Sequence, residues 1–143
     1  MKKDKIILCL DVGLKRIGVA KSVLGIPLCL EPIFRKNRNQ AARDVRSVVM
    51  ESKAEILVVG IPKDSSDSSS DSPILAMQRR IRHFVSLLEL PSEIEVVFID
   101  ESFSSFQAME KLDDKKMRKK ANLKSGSLDS MAALVILERY LMS

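Results

Sequence analysis

Ile6-Ile7-Leu8-Cys9-Leu10-Asp11-Val12-Gly13-Leu14-Lys15-Arg16-Ile17-Gly18-Val19-Ala20 holds two apolar runs parted by a turn, and an acid stands where the first run ends. The first run, residues 6–10, favours extended backbone at Ile6 and Ile7, whose branched Cβ atoms suit a pleated surface. It stops at Asp11-Val12-Gly13, where Asp and Gly are turn-forming types. A second run resumes over 16–22 with Ile17 and Val19, and Gly25-Ile26-Pro27 opens a third that reaches Ile33. Gly13, Gly18 and Gly25 punctuate the three, so the sequence predicts consecutive short strands joined by tight turns.

Over residues 37–53 the apolar period changes from two to that of a helix. Ala41, Ala42, Val45, Val48 and Val49 fall on one face, with Arg43, Asp44 and Arg46 on the other. Residues 56–59 are all apolar and end at Gly60, the pattern of a strand covered on both sides. Ile74, Met77, Ile81, Phe84, Val85 and Leu88 form a second helical stripe, and 94–99 read as another strand ending at Asp100-Glu101. Phe103, Phe106, Met109 and Leu112 predict a short helix. Leu128, Met131, Ala132 and Val135, with Leu137 and Leu141, mark an amphipathic last one. Three strands followed by crossover units give a single α/β domain over 1–143: a five-stranded mixed sheet flanked by helices. The Ser/Asp-rich tract 63–72 interrupts this order as a loop between a buried strand and a helix.

Bulk properties narrow the partners. The chain has 143 residues and a net charge of +5, which favours an anionic ligand such as a polyphosphate. With no Trp and one Tyr it has few rings on which bases could stack. Cys9 and Cys29 lie in apolar runs without metal-ligand spacing, as expected of two buried reduced thiols in a cytoplasmic protein. The apolar run after the basic start ends at Asp11, too short for a membrane span or a secretory leader.

Three acids occupy unusual places. Asp11 ends a strand that should be central, Glu101 follows the last strand, and Asp129 opens the last helix. Ligand sites of open α/β sheets gather at the carboxyl ends of parallel strands. If the first, fourth and fifth strands run parallel, Asp11 and Glu101 leave the same edge, and a helix beginning above that edge adds Asp129. Three converging carboxylates repel one another unless a cation sits among them. Oxygen ligands suit Mg²⁺ or Mn²⁺, and two such ions about 4 Å apart can drive in-line attack on a phosphodiester. Taken singly, each acid also has a plain structural use. Asp11 suits a turn, Asp129 complements a helix dipole behind Ser127 as N-cap, and Glu101 suits a solvated loop. A Ser–His–Asp or Cys–His arrangement would need His83, the one histidine, which lies in a helical pattern with no visible companion.

Leu10 to Ala20, Val58-Val59-Gly60-Ile61-Pro62, Asp100-Glu101-Ser102-Phe103-Ser104-Ser105 and Leu128-Asp129-Ser130-Met131-Ala132-Ala133 together resemble the YqgF family in order and spacing. The resemblance implies an RNase H-like fold, kinship with Holliday-junction resolvases and a role in maturing the 5′ end of pre-16S ribosomal RNA. It matches Asp11, Glu101 and Asp129 to the family's catalytic acids. The chain departs from the family's pattern at Ser102, where Arg is common, and at Val23, where many members have Asp. It departs again after Pro62, where the Ser/Asp tract replaces an Asp-Gly pair.

The cations are placed to match. Lys15 and Arg16 follow Asp11 within a turn, and Lys63 leaves the fourth strand at the same edge. Lys115, Lys116, Arg118, Lys119, Lys120 and Lys124 fill the connection before Asp129. Such a run is commonly a solvated face; beside a metal ligand it would neutralise phosphates flanking a cut. The reading is a Mg²⁺- or Mn²⁺-dependent nuclease acting on structured RNA. A junction-cutting DNA endonuclease is the alternative of the same chemistry, and a non-catalytic nucleic-acid-binding, transcription-associated factor the alternative of another class. Three acids facing phosphate argue against a pure binder, and 143 residues are too few for the two domains of an actin-like ATPase.

Overall fold

The first apolar run forms β1 (Ile7–Val12), and Ile7, Leu8, Cys9 and Leu10 on it are fully buried, as a strand covered on both faces must be. The computed structural model describes residues 2–62, 73–100 and 127–143. β2 (Arg16–Val23) pairs antiparallel with β1, and β3 (Ile26–Phe34) pairs antiparallel with β2. Leu24 and Gly25 join β2 to β3 with φ of +53° and +79°, the left-handed pair that matches a two-residue hairpin to strand twist.

The chain then crosses through α1 (Arg38–Glu51) to β4 (Ile56–Ile61), which lies parallel to β1 on its other side. Asn37 starts α1 as a capping box: its side chain accepts from the Gln40 amide at 2.8 Å, and the Gln40 side chain accepts from the Asn37 amide at 3.4 Å. α2 (Pro73–Ser86) leads to β5 (Glu95–Asp100), parallel to β4 at the sheet's edge. α3 (Ser127–Met142) closes the described chain. The five strands stand in the order β3-β2-β1-β4-β5. The expected parallel set β1, β4 and β5 is present.

Alternation along β1 divides the core in two. Leu8, Leu10 and Val12 face α1 and α2, where they meet Val45, Val49, Ile81 and Phe84. Ile7 and Cys9 face α3 and meet Met131, Leu134 and Leu137.

Two expectations change. α3 is not amphipathic along its middle: every residue from Met131 to Leu137 is buried, which calls for apolar residues all round the helix. Cys9 is buried as expected, but Cys29 is only half-buried, because β3 is the outer strand of the sheet. Neither is in a disulfide. Cys9 and Cys29 each pair with Ala20 from opposite sides, which puts them two strands apart, about 10 Å, beyond disulfide reach. The tract 63–72 and the helix expected around Phe103 to Leu112 lie outside the described residues.

Candidate active site

Asp11 continues the alternation of Ile7 and Cys9, so its side chain is on the α3 face at the carboxyl end of β1. It is half-buried and pairs across the ladder with Gly18, which places no side chain beside it. Directly after it the strand must turn. The Gly13 amide donates to the Arg16 carbonyl at 3.0 Å, and a Cβ on Gly13 would stand 2.6 Å from that oxygen. Only glycine fits so close an approach, which gives the Asp-x-Gly spacing a physical reason.

Arg35 braces the same turn from β3's end. Its amide donates to the Lys15 carbonyl at 2.9 Å, its guanidinium donates to the Gly13 carbonyl at 2.7 Å, and it lies 5.1 Å over the Phe84 ring. A contact of that kind between a guanidinium and a ring face is attractive. Lys15 and Arg16 are exposed on the hairpin next to Asp11, and Arg16 lies 5.4 Å over the Phe34 ring. Both can reach anions at this edge.

The start of α3 is held to the sheet by Ser130. Between Ile17 and Val19 the β2–β3 register slips, Ile17 pairing with Ile33 and Val19 with Leu30, so β3 carries an extra residue there. A slip of this kind leaves ladder groups without their strand partners. The Ser130 hydroxyl takes up two of them, accepting from the Val19 amide at 3.3 Å and donating to the Leu30 carbonyl at 2.6 Å. Ser130 is fully buried, and Val19 is one residue beyond the Gly18 that faces Asp11. The first turn of α3 is thereby held against β2 and β3, beside the Val19 that pairs with Leu10 of β1.

β5 ends at Asp100, level with Ile61 on β4, so the chain leaves the sheet at the same edge as Asp11. Of the residues expected at the site, Glu101, Lys63, Lys115, Lys116, Arg118, Lys119, Lys120 and Lys124 lie outside the described residues. Among the described residues no three His, Cys, Asp or Glu side chains cluster. The donor set in view is the Asp11 carboxylate, a hard oxygen ligand of the type Mg²⁺ and Mn²⁺ take. Residue-by-residue reading missed Ser130 and Arg35 as positioning groups. A serine inside an apolar helical run is the signal for the first, since a buried hydroxyl needs partners. Arg35 carries no comparable signal in sequence. His83 is exposed on α2, as its pattern predicts.

The family model described as RuvX, Holliday junction resolvase, matches residues 5–143. The chain belongs to the RuvX family. A protein of Sulfurovum sp. named "Putative pre-16S rRNA nuclease" is 50% identical over 133 residues, covering 92% of this chain and 94% of that protein. A protein of the same name from Helicobacter hepaticus is 44% identical over 138 residues, covering 96% and 95%. Among solved structures, the fowlpox virus Holliday junction resolvase superposes with a TM-score of 0.60 at 12% identity, covering 96% of this chain and 98% of that one. T. thermophilus RuvC in complex with a Holliday junction substrate gives 0.55 at 11% identity, covering 96% and 95%. These likenesses establish the RNase H-like fold, and membership of the RuvX family makes the chain a nucleic-acid-binding nuclease. Among the described residues no helix is long and apolar enough to cross a membrane.

Proposed function

We propose that this RuvX protein hydrolyses phosphodiester bonds at the 5′ end of precursor 16S ribosomal RNA in the cytoplasm, with Mg²⁺ or Mn²⁺ held by Asp11, Glu101 and Asp129. The observation that carries the RNA reading is the 44% identity to a relative of that name across 96% of the chain. The metal reading is supported by a half-buried carboxylate at the end of the central strand, with β5 and α3 directing the chain to the same edge. When bound there, a divalent cation supplies Lewis-acid charge to the phosphoryl group under attack.

The chain's own residues do the rest. Gly13 and Arg35 hold the turn that orients Asp11. Ser130 holds the backbone on which Asp129 stands. Lys15 and Arg16 neutralise phosphates beside the reacting bond, and Lys63, Lys115, Lys116, Arg118, Lys119, Lys120 and Lys124 extend that charge along the strand. A four-way DNA junction is the second reading, favoured by the family model's description and by the fold of junction resolvases.

Cleavage of a labelled pre-16S 5′ leader and of a labelled DNA junction, side by side with and without Mn²⁺, tests both. Metal-dependent cutting of the leader at the mature end, with the junction intact, is the expected result. The reverse outcome makes the DNA junction the substrate.

A further inference from the structure

A pocket of about 440 Å³ opens at the seam of α1 and α2, on the sheet face opposite Asp11. Val12, Ile81 and Phe84, all buried, form its base. Arg38 from α1 and Arg79 and Arg80 from α2 are exposed and border its mouth, with Arg35 fixed in the wall by its bonds to Gly13 and its stacking on Phe84. Among the described residues no carboxylate lines it.

Arginines on a convex helix are commonly just solvated. These three come from two helices and share one concavity with an apolar base. Walls of low polarity concentrate the field of like charges, and the resulting potential draws an anion. The guanidinium fork matches phosphate oxygens two at a time. The Asn37 side chain already accepts from the Gln40 amide at the start of α1, and the charge at the pocket is that of Arg38, Arg79 and Arg80.

We propose that this pocket seats a nucleotide of the bound strand a few steps from the bond that is cut, its phosphate on Arg38, Arg79 and Arg80 and its sugar and base against the apolar base of the pocket. The proposal rests on the nuclease reading in which Asp11 marks the reacting end. Val12 and Gly13, the two residues after Asp11, are part of the pocket wall. Two residues of extended chain cover about 6.8 Å, and a duplex strand advances about 3.4 Å per nucleotide. A strand laid over the carboxyl edge of the sheet therefore meets Asp11 on one face and the pocket on the other within a few nucleotides. Among the described residues, neither Lys15 nor Arg16 lines this pocket, so it adds a second contact region to the one they form.

The test compares Arg38→Ala/Arg79→Ala/Arg80→Ala with a control of equal charge loss, Lys5→Ala/Arg43→Ala/Lys53→Ala, whose residues are exposed and outside the pocket. Binding of a labelled RNA leader is measured in metal-free buffer over a range of salt, and cleavage kinetics are measured with Mn²⁺. The pocket variant should lose affinity by a factor on the order of ten to one hundred at about 0.1 M salt and flatten the slope of log K against log salt by about one, for the one phosphate seated there. KM should rise while kcat is kept, as for a contact made equally before and during the reaction. A pocket variant that binds like the control overturns the proposal. Arg79→Ala alone should show the same sign at smaller size if the triple variant does not fold.

Adenosine monophosphate separates a strand from a free nucleotide. It should displace the RNA only at millimolar concentration. Micromolar binding that the triple variant abolishes, with RNA affinity unchanged, would assign the pocket to a free nucleotide instead. A wild type that binds RNA but cuts neither RNA nor DNA would refute the nuclease reading, while the binding comparison would still decide the pocket.

Discussion

The two faces of the sheet are covered in different ways. On one, α1 and α2 lie side by side, each with an apolar stripe inward and charges outward, and a basic pocket remains where they meet. On the other, α3 is buried from Met131 to Leu137, and a serine hydroxyl ties its first turn into the strand ladder. Two amphipathic helices leave a seam and so a surface for ligand. One helix apolar on all sides leaves none, but its start can be located closely. The first arrangement suits holding a strand; the second suits fixing an acid.

Replacing Asp11 by Asn is the most severe test of that division. Cleavage should be abolished with RNA affinity equal to wild type or slightly higher, read by titration of labelled RNA in metal-free buffer. Wild type should also melt higher as Mn²⁺ is added, by about 2.7 kcal/mol of stability at one hundred times Kd, and Asp11→Asn should respond far less. Equal metal shifts in the two proteins would remove Asp11 from the metal site.

Ser130→Ala probes the pin on the α3 face. It leaves the Val19 amide and the Leu30 carbonyl without their buried partner, at a cost of about 1–3 kcal/mol in urea unfolding. If position 129 depends on this pin, kcat should fall as well while KM is kept. Full activity in a destabilised variant would make Ser130 structural only.

Tyr140 offers a pH test of the same face. Burial first, and the nearby Glu95 carboxylate second, raise its pKa above the usual 10.0. The folded state thus holds the phenol proton more tightly than the unfolded chain. The stability this confers is complete below about pH 10 and is lost as pH rises through the raised value. Tyr140→Phe should show a shallower loss of stability on the alkaline side, in melts from pH 8 upward. Identical alkaline slopes would mean that burial of the phenol carries no penalty for its anion.

The smallest effect belongs to the α1 side. Lys53 ends α1 in the left-handed region with φ +56°, and the Ala54 amide donates to the Val49 carbonyl at 3.2 Å. Glycine adopts that conformation without strain, so Lys53→Gly should stabilise by about 0.5–1 kcal/mol with cleavage unchanged. A loss of stability would show that the lysine side chain contributes more than the strain costs.

Much of this was legible in the chain itself. Apolar runs of period two and stripes of helical period named the five strands and the helices α1, α2 and α3, because side-chain burial repeats with backbone geometry. Asp11-Val12-Gly13 marked the turn that ends β1, since Asp and Gly are turn-forming types. What the sequence could not convey is what depends on register between distant segments. The Ile17/Val19 slip that calls for the Ser130 hydroxyl joins residues 100 and 111 positions apart. The half-burial of Cys29 follows from β3 standing at the sheet's edge. Arg38, Arg79 and Arg80 share a concavity only because two helices are laid together. Local pattern is written in periods of two and 3.6 residues, whereas a pocket or a pin exists only once the chain has brought separate segments into contact.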